Sequence, residues 1–491
     1  MTLSRWPLCR VLLGLLLTLT LLGALYAALR FLPDRPVTHA DPAEHFKYGS
    51  LGGERNMGFP YWLFQVLPEV CPDLLPGKGY ASLGFITEPG HDLPVGMSQR
   101  RHLGLDRVFL NCAVCHSATV RTAPDAAPRL VLGMPANQLD LMGFQKFVQA
   151  CVNDRRFTPA QVVPRIAEKA GGLSPIDRHL VYPLAIHLMR DGVAGLIGRL
   201  RFIHLQEPWG PGRVDTFNSA KGIFMAPFEQ LPRDELNGVS DFPAIWNQAR
   251  KEGMQLHWDG NNTSVRERNL SAAFGAGALP RLIDYAAMAR IESWIATATP
   301  PAFADHYPID AALAARGQAI YTATCAACHG QNGSDFAGAH VGKVTPLAAI
   351  GTDRGRLDSY TLELAQNQGL LYAAHPERRF RHFRKTWGYA NAPLDGVWLR
   401  APYLHNGSVP TLWDLLQPAS ARPARFYRGN NLYDPQRMGF VADQPSADGR
   451  ALFAYDTTRP GNGNAGHEGD AYGTTLPDAD KWALIEYLKT F

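Results

Sequence analysis

The chain has 491 residues, enough at roughly 150 per domain for two to four domains with real apolar cores. Hydrophobic residues make up 46% and charged residues 19%, which excludes a disordered or fibrous chain. A net charge of +4 from 48 basic and 44 acidic residues, with no block of like charge, lacks the basic stripe of a nucleic-acid binder, and 46 glycines and 37 prolines mark a chain rich in turns.

The N-terminus carries Arg5 and Arg10, then 19 uncharged residues from Val11 to Leu29, then Arg30 and a proline-rich stretch. That run is longer than an ordinary signal-peptide core and just long enough to cross a bilayer. The two arginines keep the N-terminus cytoplasmic. The expectation is a periplasmic body held at the inner membrane by residues 11–29, with 1–32 as the leader unit. Ala24-Leu-Tyr-Ala27 offers a peptidase site, whose use would instead release a soluble periplasmic or secreted protein. Outside the cytoplasm Cys71 and Cys151 can pair, the alternative being two buried thiols.

Helices are predicted at 137–152, 159–170, 176–203, Leu282 to Ala298, Ile309 to Tyr321 and Asp478 to Lys489, from apolar spacing and end signals. Ile291-Glu-Ser-Trp-Ile295 and Ile485-Glu-Tyr-Leu488 read as comparable closing helices of two units, 45–300 and 301–491, with the boundary at 299–308. No run alternates convincingly, so sheet is expected to be minor and the fold mainly α.

Two copies of one pattern, Cys112-Ala-Val-Cys115-His116 and Cys325-Ala-Ala-Cys328-His329, lie 213 residues apart. Two thiols three positions apart on a helical turn can add to the two vinyl groups along one edge of a porphyrin. The adjoining histidine then reaches the iron. A thioredoxin-type pair needs a βαβ context and no fixed histidine, and a zinc site needs a second pair nearby. The reading is two covalently bound c-type haems, held by Cys112, Cys115, Cys325 and Cys328, with His116 and His329 as iron ligands. Each haem replaces much of a side-chain core, which accounts for the loop-rich composition.

A second strong protein ligand makes a low-spin carrier, and an open sixth position admits oxygen or peroxide. Candidates at the second haem are His340, His375, His382, His405, Met438 and His467, the last in the glycine-rich Gly461-Asn-Gly-Asn-Ala-Gly-His467. At the first they are His179, His187, His204, Met225, Met254 and His257, and none stands out.

The paired motifs, with Leu399-Arg-Ala-Pro-Tyr-Leu-His-Asn-Gly-Ser-Val-Pro-Thr-Leu412, resemble the bacterial dihaem cytochrome c peroxidase and MauG-type superfamily. Within it, Asn111-Cys-Ala-Val-Cys-His116, Gly133-Met-Pro-Ala-Asn-Gln-Leu139, Trp209-Gly-Pro-Gly-Arg-Val-Asp215 and Gly466-His467 look most like the rubber oxygenase A-like branch. The resemblance implies two cytochrome c-like domains with one haem each. Peroxidases of the superfamily often place a Met, and MauG-type enzymes a Tyr, fourteen residues beyond the His of the Tyr-Leu-His-Asn-Gly-like motif. Here that position is Ala419, which cannot ligate iron. In the branch the glycine-flanked C-terminal histidine serves instead, which maps to His467. The branch leaves the first haem open beneath a phenylalanine, which maps to Phe224. Trp209 maps to an electron relay, Glu229 is a candidate base, and His405 is expected near a haem without ligating it. The shorter chain and the anchor argue against carrying over a rubber substrate.

Two functions follow from this reading. One is an oxidoreductase whose first haem takes dioxygen or peroxide while the second passes electrons, with a small cytochrome or cupredoxin as redox partner. The other is a non-catalytic electron carrier with both irons six-coordinate. The sequence is silent on a calcium ion between the domains, which peroxidase-branch relatives often carry.

Overall fold

The structure, a computed structural model, describes residues 6–373 and 375–491; Arg5 lies outside the described residues. Helix accounts for 44% of the chain and strand for 12%. Helix α1 (Trp6–Phe31) is apolar on every side, and between Arg10 and Phe31 none of it is buried. At 1.5 Å per residue it is about 39 Å long. A helix of this length and composition near the N-terminus serves as a signal peptide or as a membrane anchor. Its last turn meets the body, where Arg30 pairs with Asp177 at 2.7 Å.

After Asp34 the chain enters a four-stranded antiparallel sheet in the order β1-β3-β4-β2, formed by β1 (Arg35–Pro36), β2 (Phe59–Pro60), β3 (Met97–His102) and β4 (Leu105–Leu110). Its longest hairpin does not alternate because Arg100 is drawn inward. The Arg100 guanidinium is buried and donates to Asp34 at 2.8 Å, to Ser50 at 3.1 Å and to Asp284. A charge buried with such partners is tolerated, and the strand loses its period-two signature.

Helices α2 (Pro42–Tyr48), α3 (Tyr61–Val70), α4 (Cys112–Cys115), α5 (Leu141–Asn153), α6 (Pro159–Lys169), α7 (Tyr182–Leu200) and α8 (Thr216–Ile223) follow, with the short hairpin β5 (Ser117–Val120) and β6 (Arg129–Leu132) after α4. A π-helical turn, Asp177–Val181, leads into α7. Leu63, Phe64 and Leu67 of α3 pack with Phe144 and Phe147 of α5, Ile166 of α6 and Ile186 and Met189 of α7. Cys71 and Cys151 close this core as a disulfide, with 5.8 Å between their Cα atoms.

The expected boundary at 299–308 falls between α10 and α11, in the order α9 (Val265–Gly275), α10 (Tyr285–Thr297), α11 (Ala311–Thr324) and α12 (Ala326–His329). The cores cross it in both directions. Ala118, Val120, Met134 and Trp246 pack into the core of Tyr321, Trp398, Leu484 and Leu488. Tyr372 and Phe380 pack back beside Ala113, Leu270 and Ile291. Asp241 and Arg428 span the same divide as a buried bidentate pair at 3.0 and 2.9 Å.

Helix α11 lies against the C-terminal helix Asp478–Leu488, and the contact needs Gly317. A Cβ there would collide with the carbonyl of Ala483. Gly317→Val should therefore destabilise the protein by about 1–3 kcal/mol, read from the denaturant midpoint with the haem absorbance and helical circular dichroism as probes. Asp241→Asn strands Arg428 in the interior, and the same measurement should show a loss of about 3–5 kcal/mol.

Candidate haem site

Both Cys-x-x-Cys-His motifs form a single helical turn, which places their cysteines on one face. In the first, Asn111 caps α4: its Oδ1 accepts from the Ala113 N–H at 2.9 Å, and its Nδ2 donates to the carbonyls of Lys47 and Gly49 at 3.2 and 3.0 Å. The turn is thus pinned to α2 before it reaches His116. The Nδ1 of His116 lies 2.9 Å from the carbonyl oxygen of Pro243, and the Nδ1 of His329 lies 2.8 Å from that of Ala392. A carbonyl oxygen only accepts, so each Nδ1 carries the proton and each Nε2 presents a lone pair. Burial, with Arg268 nearby, holds His116 down at about 3, and burial lowers His329 as well. Both rings are therefore neutral, the form in which imidazole binds a metal.

The carbonyl of Pro243 is held in place by a chain of backbone bonds. Gly133 donates to His116 O at 2.7 Å and accepts from Ile245 N–H at 3.0 Å. Gly133 has φ +81°, and a Cβ there would strike the indole of Trp246. Trp246 is buried, donates from Nε1 to Leu132 O at 2.8 Å and borders the cavity of the second motif. It thus lies three residues from the carbonyl that orients His116 and on the wall of the space facing His329.

That cavity has a volume of about 330 Å³ and is bordered by Cys325, Cys328, His329 and His467, a size usual for a cofactor pocket. The ring centres of His329 and His467 are 6.4 Å apart. Two imidazoles on one metal, each at about 2 Å from nitrogen with roughly 1 Å more to the ring centre, would lie about 6 Å apart. The residues present fit an iron held between them. His467 has φ +50° and follows Gly466 at φ +83°, where a Cβ would run into the backbone of Gly351 and Thr352. Its N–H donates to Ile350 O at 2.7 Å, and the buried Arg422 donates to the carbonyls of Gly466 and His467 at 2.8 and 3.3 Å. Burial, reinforced by His329, holds His467 down at about 3.

The four motif cysteines are not bonded to one another. Burial pushes Cys112, Cys115 and Cys325 up to about 12. The cavity wall also carries Arg268, Arg400 and Lys251. Burial lowers Arg268 to about 10 and Lys251 to about 8, the latter beside Asp395 at 3.1 Å. These cations suit the two carboxylates of a haem, which need partners once they leave water.

The other residues singled out in the sequence are spread over the fold. Trp209 is buried with Phe202, Phe228 and Met142 and donates to Gln206 at 2.8 Å. Phe224, at the end of α8, packs with Phe217, Tyr360, Leu364 and Phe383. Glu229 is exposed and pairs with Arg201 at 2.8 Å. None of these three borders the cavity of His329 and His467. His405 does border it, stacked on Tyr389 with ring centres 4.2 Å apart. His382 is bonded to Glu267 at 2.8 Å, His204 lies 3.2 Å from Gln149, and Met225 is exposed. His257 is buried on the cavity wall with its Nε2 unpartnered. Ala419 donates its N–H to Glu468, the neighbour of His467, at 3.0 Å. Pro243, Ala392, Trp246, Arg268 and Arg422 were not singled out, because a carbonyl or a cation supplied from far along the chain leaves no local spacing. Among the described residues no group of three or more His, Cys, Asp or Glu side chains is placed to hold a further metal such as calcium.

Residues 388–427 match the family described as RoxA-like, cytochrome c-like, and residues 314–382 match the cytochrome c family. Two proteins of a Sinorhizobium fredii strain are similar along much of the chain. The protein y4iM is 31% identical over 297 residues, covering 51% of this chain and 64% of that protein, so the match spans under two thirds of its length. The protein y4iJ is 27% identical over 553 aligned residues, covering 89% of each. These two segments are thus similar to cytochrome c domains, one of them of the RoxA-like type, and such domains hold covalently bound haem c.

Proposed function

We propose that this chain is an exported dihaem c-type cytochrome that works as an oxidoreductase, with its second haem six-coordinate between His329 and His467 and its first, on His116, open to dioxygen or peroxide. The observation that carries this reading is the inequality of the two motifs. His329 faces a second neutral imidazole across 6.4 Å, and among the described residues no ring stands opposite His116 in that way. A haem supplies one-electron chemistry, and small oxidants bind where its iron keeps a free position.

The protein's own groups do the rest. His329 and His467 would close both faces of their site, the His329 ring fixed by the Ala392 carbonyl and the His467 backbone by Arg422, so little has to rearrange when charge arrives or leaves. Trp246 borders the second cavity three residues along from the Pro243 carbonyl, which supports a role for it on the electron path beside the one proposed for Trp209. Arg268 and Arg400 balance buried negative charge. The apolar Leu270, Ala273, Ile245 and Phe380 pack around Ala113 and keep water from the first motif. The periplasm, reached through the export helix, is the proposed compartment, and a small cytochrome or cupredoxin the proposed electron partner.

One observation favours the electron-carrier alternative. His257 is buried with a free Nε2 and, like His116, lies near Arg268, which supports it as a candidate sixth ligand on the first haem. Carbon monoxide titration of the reduced protein separates the two readings. The oxidoreductase reading expects one haem in two to bind it, with His257→Leu leaving that number unchanged. The carrier reading expects none to bind, with one gained on His257→Leu. His467→Ala should turn one low-spin signal high-spin in electron paramagnetic resonance, and an unaltered spectrum removes His467 as the ligand.

A further inference from the structure

The described surface carries one apolar stripe that the proposed chemistry does not use. Leu180, in the π-helical turn, and Leu184 and Leu188 of α7 follow one another at four-residue spacing and so share a helix face. They are 61, 53 and 59% exposed. The opposite face of α7, with Ala185, Ile186, Met189 and Val193, is sunk in the first core. Ile176, one turn before Leu180, is exposed as well, as is Leu103 at the tip of the β3–β4 hairpin. An ordered run of large apolar residues in water marks a surface that meets something.

The connection to α1 identifies what that is. Arg30, in the last turn of α1, pairs with Asp177, the residue between Ile176 and the stripe. Phe31 packs against Gly104, next to Leu103. Only Leu32, Pro33 and Asp34 separate α1 from β1, which is paired to β3. Asp34 itself is held by Arg55 at 2.7 Å and by Arg100 at 2.8 Å. The helix exit is thus tied to the body at several points and cannot swing freely. A bilayer that contains α1 must meet the body beside Leu103, Ile176 and Leu180. The stretch from Ile176 to Leu188 adds about 18 Å of helix, with Arg178 exposed at its flank to meet lipid phosphates.

We propose that the α7 stripe is a membrane-contact face: the body lies on the leaflet that α1 enters, with Leu180, Leu184 and Leu188 sunk among the lipid headgroups and upper acyl chains. The haem cavities would then be held at a fixed height and orientation above the bilayer. This rests on the reading of α1 as a retained anchor, and the test separates the two.

The full-length haem-loaded protein is placed in vesicles of phosphatidylethanolamine and phosphatidylglycerol containing a phospholipid with a photoactivatable diazirine high in its acyl chain. Adducts are mapped by peptide mass spectrometry. Adducts on α1 and on residues 176–188 are expected. The triple variant Leu180→Glu, Leu184→Glu, Leu188→Glu should cut the yield on 176–188 about tenfold while α1 and the haem spectrum stay unchanged. Adducts on α1 alone overturn the contact face and leave the anchor standing, the outcome expected if a second copy or another protein covers the stripe. Adducts on 176–188 in a chain whose mature N-terminus lies beyond residue 27 keep the contact face and overturn the anchor. Adducts on neither overturn both.

Discussion

Two hydrogen bonds of about the same length orient the imidazoles of the two Cys-x-x-Cys-His motifs. The Nδ1 atoms of His116 and His329 each meet a backbone carbonyl, at 2.9 and 2.8 Å, from a segment that lies 127 and 63 residues further along the chain. Each bond fixes a ring, assigns its proton and leaves the other nitrogen ready for metal. A helical turn of four residues could not do this alone, because nothing within it limits rotation about the histidine side chain. The long stretches after each motif are what return a carbonyl to the right place.

This long-range return explains why the two units are not independent. The Pro243 carbonyl serves the first motif, and Trp246 in the same segment packs into the core of the second. Tyr372 and Phe380, from beyond the second motif, pack beside Ala113 of the first. The Asp241–Arg428 pair then locks the two together where solvent cannot compete. The packing around each motif therefore draws on residues from both halves of the chain.

Much of this was legible in the residues. The helices expected at 137–152, 159–170 and 282–298 correspond to α5, α6 and α10, because their apolar spacing and caps are local. The β3–β4 hairpin was not legible. Arg100 is buried by partners at positions 34, 50 and 284, and no window around it contains them. At the second motif, His467 was marked by its glycine neighbours, and the structure supplies the reason: Gly466 alone can pass that close to Gly351 and Thr352. The Arg422 clamp left no mark, since an arginine satisfied by carbonyls resembles any surface arginine in sequence. Trp209 and Trp246 are equally buried, and only the folded chain tells which of them borders the second cavity.

The disulfide between Cys71 and Cys151 forms where thiols are oxidised, yet in that same environment the motif cysteines would have to stay single to take the porphyrins proposed for them. Thiol–disulfide exchange proceeds through the thiolate, and burial that lifts Cys112, Cys115 and Cys325 to about 12 leaves almost none of that species. One chain thus holds cysteines with opposite fates.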